Sequence, residues 1–205
     1  LNNLQTLGRK FFRSVDVVTF EFENVSVAGL DHLLSHTLTH PHVQVLKTCQ
    51  DRILEKSFVN SCGIPTAPWR AVQDPEEFRH TVQELGMPCV AKTSRMGYDG
   101  KGQVRVSDPK ALLAAWSDLQ GTSDAVVPCI LEQKLALKCE CSVVLARGRD
   151  GSHTHLPVQL NLHRDGILAL TEVADGLLNP ELEAALIRAS VAIAEGLQYV
   201  GVLCV

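Results

Sequence analysis

No uninterrupted apolar run in the chain approaches the roughly 18 residues that cross a bilayer, so no membrane span is expected. Nor do the first residues show a charged segment followed by an apolar one, the pattern of an export signal. A basic stripe that could track a nucleic-acid backbone is also missing. With 19 Lys and Arg against 23 Asp and Glu, the net charge of −4 speaks against polymeric nucleic acid as a partner. There is no internal repeat and no low-complexity tract, and 45% hydrophobic with 20% charged residues is ordinary for a folded chain. These absences predict a soluble cytoplasmic protein, and 205 residues allow one large domain or two small ones.

The cysteines do not form an even set. Seven of them, Cys49, Cys62, Cys89, Cys129, Cys139, Cys141 and Cys204, stand in apolar or strand-like contexts, and an odd number argues against a complete disulfide framework. Reduced thiols are expected. Cys139-x-Cys141 would share one strand face, and with no second Cys/His pair at zinc spacing, packing is favoured over metal.

What the chain does have is Val90-Ala91-Lys92, followed by Gly97-Tyr98-Asp99-Gly100-Lys101-Gly102-Gln103. An apolar run ending in lysine, then three glycines in six residues, sets a fixed cation beside flexible backbone amides, which suits a polyphosphate. The loop is not a Walker A element, because Arg95 stands where glycine is needed and Gly102 where a hydroxyl is needed. Nor does it match G-x-G-x-x-G. Taken alone, such a loop is equally a turn between strands, and Lys92 a strand-end lysine whose stem covers apolar surface.

Periodicity predicts the order of elements. A strand is expected over Val15 to Phe22, where Phe20 and Phe22 alternate with Glu21 and Glu23; those carboxylates read as a solvated strand end before a catalytic pair. A short strand over Val43 to Leu46 should lead through Asp51-Arg52 into a helix carrying Lys56 and Phe58 that stops near Gly63. Ile64-Pro65-Thr66-Ala67-Pro68 reads as an extended linker with a domain boundary before it. Asp74-Pro75-Glu76-Glu77 offers an N-cap, a first-turn proline and a capping-box glutamate, with Phe78, Val82 and Leu85 on one stripe and Gly86 as the stop. A strand from Pro88 to Lys92, the glycine loop, a strand from Gln103 to Val106 and a helix opened by Asp108-Pro109 follow.

The second half reads differently. Strands are expected over Cys129 to Gln133, Glu140 to Ala146, His155 to Val158 and Ile167 to Glu172, with turns at Arg149-Asp150-Gly151 and Arg164-Asp165-Gly166. Antiparallel hairpins would result. Asn179-Pro180-Glu181 caps a helix with Leu182, Leu186, Ala189, Ile193 and Leu197 on one face, and Tyr199 to Val205 reads as a buried strand.

In order and spacing, several blocks resemble the N5-carboxyaminoimidazole ribonucleotide synthase family of the ATP-grasp superfamily, the ATPase part of phosphoribosylaminoimidazole carboxylase. They are Asp16 to Val25, Gln50-Asp51-Arg52, Pro65 to Pro68, Gly97 to Gln103, Glu132-Gln133, Ala146 to Gly151, Asn161 to Leu168 and Tyr199 to Val202. The resemblance spans essentially residues 14 to 205. It implies an α+β ATP-grasp fold, two subdomains sandwiching ATP, preceded by the end of a Rossmann-like α/β domain. The limits expected are 1–47 for that remnant, 48–128 for the subdomain with the glycine-rich loop, and 129–205 for the second subdomain.

The resemblance also implies roles. Arg52 and Lys92 match the catalytic cations that meet ATP phosphates, and Gly97, Tyr98, Asp99, Gly100, Lys101, Gly102 and Gln103 match the phosphate loop. Glu132 begins the hinge whose backbone reads adenine through Gln133, Lys134 and Leu135. Glu140 matches the carboxylate on the ribose, His163 a further ATP-site residue, and Tyr98 and Asp99 the groups facing aminoimidazole ribonucleotide. Without the family, His163 would be a turn histidine and both glutamates edge charges.

ATP, bicarbonate and aminoimidazole ribonucleotide are the substrates so implied, with Mg2+ as cofactor, its carboxylate ligands expected just past Val205 and none within the chain. The family begins before Leu1, so the sequence reads as a piece of a longer protein, a homodimer when complete, fused to or cooperating with a mutase. Rivals are a formate- or glycine-dependent purine ligase, against which the block from Asn161 to Leu168 argues, and an inactive ATP-binding module.

Overall fold

The computed structural model describes residues 10–11, 14–34, 37–97, 102–122, 125–164, 167–173, 176 and 178–205. Along the chain run β1 (Val17–Val18), α1 (Val27–Leu34), β2 (Leu38–Thr39), α2 (Val43–Cys49), α3 (Arg52–Ser61), β3 (Trp69–Val72), α4 (Pro75–Leu85), β4 (Cys89–Thr93) and β5 (Gln103–Val106). A 3-10 turn, Pro109–Ala111, then runs into α5 (Leu112–Gln120), followed by β6 (Cys129–Gln133), β7 (Glu140–Ser142), β8 (Val144–Arg147) and β9 (His153–His155). The remaining elements are β10 (Gln159–Arg164), β11 (Ile167–Val173), α6 (Pro180–Gly196) and β12 (Gly201–Cys204). Mixed helices and sheets of this kind make an α+β chain.

Two compact units divide it. Leu1–Gln50, Ser142–Gln159 and Val173–Val205 form the first; Asp51–Cys141 with Leu160–Glu172 form the second. The limits expected from sequence are consecutive, whereas these units interleave, and β6 of residues 129–133 is a central strand of the second unit. The units change over at Gln50–Asp51, not at the proline-rich stretch before Trp69.

The second unit is built on a sheet of order β3-β6-β4-β5, whose neighbouring strands all pair antiparallel. Side chains alternate across a strand, so β4 sends Cys89, Ala91 and Thr93 to one face and Val90 and Lys92 to the other. The first face is the core. There Cys89, Ala91, Val106, Cys129 and Leu131 pack with Val72 and with Phe78 and Val82 of α4 and Ala115 and Leu119 of α5. Phe78 is 1% exposed and its ring meets that of Trp116 at a centroid distance of 5.5 Å. Helix α4 starts where the sequence says it must: Asp74 Oδ1 accepts from the N–H groups of Glu76 and Glu77, while Glu77 Oε2 accepts from that of Gln73. A third sheet, β11-β10-β7, carries the exposed strand β11.

In the first unit, β12-β8-β9 is an antiparallel sheet, and Val45, Leu145, Ala194 and Tyr199 form its small core. Asn179 caps α6 through the N–H of Leu182, as its Asn-Pro-Glu start requires.

Several expectations are corrected. The strand over Val15 to Phe22 shrinks to Val17–Val18, because among the described residues only Leu38 and Thr39 pair with it, and Phe22 is exposed. Val43 to Leu46 is helical. The alternating valines read as a strand, but Val43 with Leu46 and Val45 with Cys49 also fit helical spacing, and the His42 ring caps Gln44 N–H. Burial of Val43, Val45 and Leu46 decides for the helix over β-branched propensity. Glu140 to Ala146 divides between two sheets at Val143, whose N–H and C=O both bond to Val205. The strand expected over His155 to Val158 moves up to His153–His155, because the turn closed by Gly148 N–H on Ser152 O sets Arg147 opposite His153. Finally, β12 is an edge strand with Val202 exposed, not a buried one.

Candidate functional site

The face of the four-stranded sheet opposite the core is where the charged residues gather. Antiparallel register puts Val90 across from Glu132 and Lys92 across from Ile130, which makes Lys92 and Glu132 diagonal neighbours on one face. Lys92 Nζ donates to Glu132 Oε2 at 3.0 Å. Lys56, from α3, reaches the other oxygen, its Nζ 3.4 Å from Glu132 Oε1. The carboxylate is thus flanked by two ammonium groups, and its side chain is only 10% exposed. That second contact is an ion pair without hydrogen-bond alignment: among the described residues no donor meets Glu132 Oε1 with that geometry. Two lysines against one glutamate leave the cluster with one net positive charge.

Arg52 stands one turn before Lys56 on α3, at i and i+4, so both side chains leave the same side of the helix. Its guanidinium donates to the backbone carbonyls of Thr93 and Gly97, each at 3.0 Å, and its N–H bonds to Ser94 O. Asp51 makes this start possible by capping Ile53 N–H. Arg52 therefore clamps the entrance of the glycine loop. Its exit is clamped too: Thr93 N–H donates to Gly102 O at 2.8 Å. At Gly102, φ is +67° and a Cβ would lie 2.7 Å from Thr93 Oγ1, so glycine is required there. Tyr98, Asp99, Gly100 and Lys101 lie outside the described residues.

The segment Gln133 to Leu135, expected from the resemblance to read adenine, runs out of the end of β6. Gln133 N–H bonds to Pro68 O and Lys134 N–H to Pro88 O, so of these three amides that of Leu135 has no bond to the chain among the described residues. On the third sheet, Glu140 and His163 come together, Oε2 to Nδ1 at 2.8 Å, with side chains 45% and 35% exposed. Gln103 pairs opposite Lys92. Arg52, Lys92, Gly97, Gly102, Gln103, Glu132 to Leu135, Glu140 and His163 all belong to the second unit. Lys56 was not among the site residues the sequence suggested; its only signal was the four-residue spacing from Arg52. A separate hollow of about 430 Å3, lined by Phe78, Leu112, Leu113 and Trp116 among others, holds none of these charged groups.

A glycine loop pinned at both ends beside a half-buried excess of positive charge, with an unbonded backbone N–H at Leu135, is an arrangement that suits a polyphosphate ligand. The ATP-grasp domain matches residues 57–205, and the chain belongs to the ATP-grasp family. Within it, the chain is similar to an N5-carboxyaminoimidazole ribonucleotide synthase from Brucella melitensis, 40% identical over 190 residues, 92% of this chain and 51% of that protein. It is also similar to the bifunctional purine synthesis protein purC/E of Dictyostelium discoideum, 40% identical over 161 residues, 78% of this chain and 16% of that one. Among solved structures, an N5-carboxyaminoimidazole ribonucleotide synthetase in its ADP complex superposes with a TM-score of 0.87 at 32% identity, over 98% of this chain and 52% of the other. The chain spans about half the length of these synthases.

Proposed function

We propose that this chain carries the nucleotide-binding part of an enzyme that carboxylates the exocyclic amine of 5-aminoimidazole ribonucleotide with bicarbonate, at the expense of ATP, in purine biosynthesis. Bicarbonate is a poor electrophile, since its carbon bears an anionic oxygen and a hydroxide-like leaving group. Transfer of the γ-phosphoryl group to a bicarbonate oxygen gives carboxyphosphate and ADP. The amine then takes the carboxyl group, phosphate departs, and one amine proton is lost, leaving N5-carboxyaminoimidazole ribonucleotide. The observation that carries the reading is the net positive Lys56–Glu132–Lys92 cluster beside the clamped loop.

In this reading Lys92 and Arg52 meet the phosphates, where fixed cations stabilise charge that develops during transfer. The glycine loop serves to keep water from carboxyphosphate, and the ribonucleotide role of Tyr98 and Asp99, which lie outside the described residues, rests on the resemblance alone. Leu135 N–H meets the adenine edge, Glu132 to Lys134 frame it, and Glu140, with His163 behind it, receives the ribose hydroxyls. Magnesium accompanies ATP. Among the described residues no group of three or more His, Cys, Asp or Glu is placed to hold it. A cytoplasmic setting, a homodimer and a mutase partner complete the proposal; among the described residues no helix is long and apolar enough to cross a membrane.

The test is ADP release by the protein as the cell makes it, with ATP and each acceptor in turn. Release that needs both bicarbonate and aminoimidazole ribonucleotide, with carbon-13 bicarbonate appearing in the product, is the expected result. Release that follows formate or glycine instead would overturn it.

A further inference from the structure

We propose that Lys56 is a positioning residue for nucleotide binding, acting through Glu132 on Lys92 and not on the nucleotide itself; the proposal rests on the reading of this site as an ATP site. The three side chains differ in how far they open to solvent: Lys92 is 27% exposed, Lys56 18% and Glu132 10%. Lys92 is the member a ligand would meet first, and Glu132 is the most enclosed.

A lysine paired one-to-one with a buried glutamate is a poor anion receptor, because the carboxylate cancels its charge and repels the incoming phosphate. Lys56 changes that balance. With an ammonium at each oxygen, the carboxylate charge is shared, and the cluster as a whole keeps one positive charge. Holding Oε1 also fixes the orientation of the carboxylate, so that Oε2 takes a single N–H of Lys92 and the other two remain for phosphate oxygens. The Lys56 contact lacks hydrogen-bond alignment, as expected for a group that supplies charge more than a directed bond. One helix thus delivers two separate effects, Arg52 on the loop and Lys56 on the glutamate.

A purely structural ion pair would give a different result, since it would alter folding and leave nucleotide affinity alone. The experiment is calorimetric titration of the protein as the cell makes it with magnesium ATP, without bicarbonate or ribonucleotide, so the outcome does not depend on which acceptor is carboxylated. K56M should bind about tenfold more weakly, the size of one lost charge-assisted contact, with KM for ATP raised more than kcat is lowered. K56R, which restores the charge, should recover most of the affinity. On an E132Q background there is no carboxylate for Lys56 to neutralise or orient, so K56M should weaken ATP binding there by much less than tenfold; this comparison decides even if K56M alone folds poorly. Wild-type affinity in K56M, or a tenfold gap between K56M/E132Q and E132Q, would overturn the assignment.

Discussion

Lys92 is held by one hydrogen bond to Glu132 and otherwise faces the side of the sheet away from the core, so its removal should leave the fold intact. Lys92→Ala is expected to lower turnover by about 10²-fold or more, because a preorganised cation acts chiefly on charge developing in the transition state. Bicarbonate-dependent ADP release measures it; near-wild-type rates would take Lys92 out of the site. At this scale the strand-end position of Lys92, just before the clustered glycines, was legible, and β4 places it there. The sequence could not show Lys56. A lysine four residues after an arginine on an amphipathic helix is ordinary, and only the antiparallel register that brings Glu132 beneath it gives the spacing meaning.

Among the elements, α4 was fully legible. Asp74, Pro75 and Glu77 specify its start, and Phe78 and Val82 specify the face that packs on the sheet. Asp74→Ala removes the acceptor for two backbone N–H groups and should cost about 1 kcal/mol, seen as a lower thermal midpoint without loss of nucleotide binding. An unchanged midpoint would mean that water replaces the cap at no cost. Other elements were not legible for a physical reason. Val43 to Leu46 satisfies both periods over so short a stretch, and which one is used depends on distant partners. The run from Glu140 to Ala146 alternates without a break, so nothing local marks Val143 as the point where the chain leaves one sheet for another.

For the whole molecule, the thiols set an alkaline limit. Burial pushes Cys129 from its ordinary 9.0 up to about 11, only partly offset by the hydrogen bond from Gln120, and burial raises Cys89 as well. Both lie in the core of the second unit. A thiol whose folded pKa is raised keeps its proton when the unfolded chain has lost it. Stability is therefore unaffected below about pH 9 and falls as pH rises from there toward 11. Thermal melts should show a flat midpoint near neutrality and a decline above about pH 9, shallower in Cys129→Ala, even though that variant starts lower for lack of packing. Parallel slopes in the two proteins would exclude Cys129 as the cause.

The two cores also differ in how much of the chain must exist before either can form. Every residue of the larger one, Val72 to Leu131, comes from a single continuous stretch, whereas the smaller joins Val45 to Leu145, Ala194 and Tyr199. On a ribosome, which delivers the chain from its N-terminus, the four-stranded sheet can close while the tail is still being made. Val45 must wait for residues some 150 positions later. Until Tyr199 emerges, Val45 lacks the partners of its core, and a nascent chain stalled in between is the form most open to misfolding.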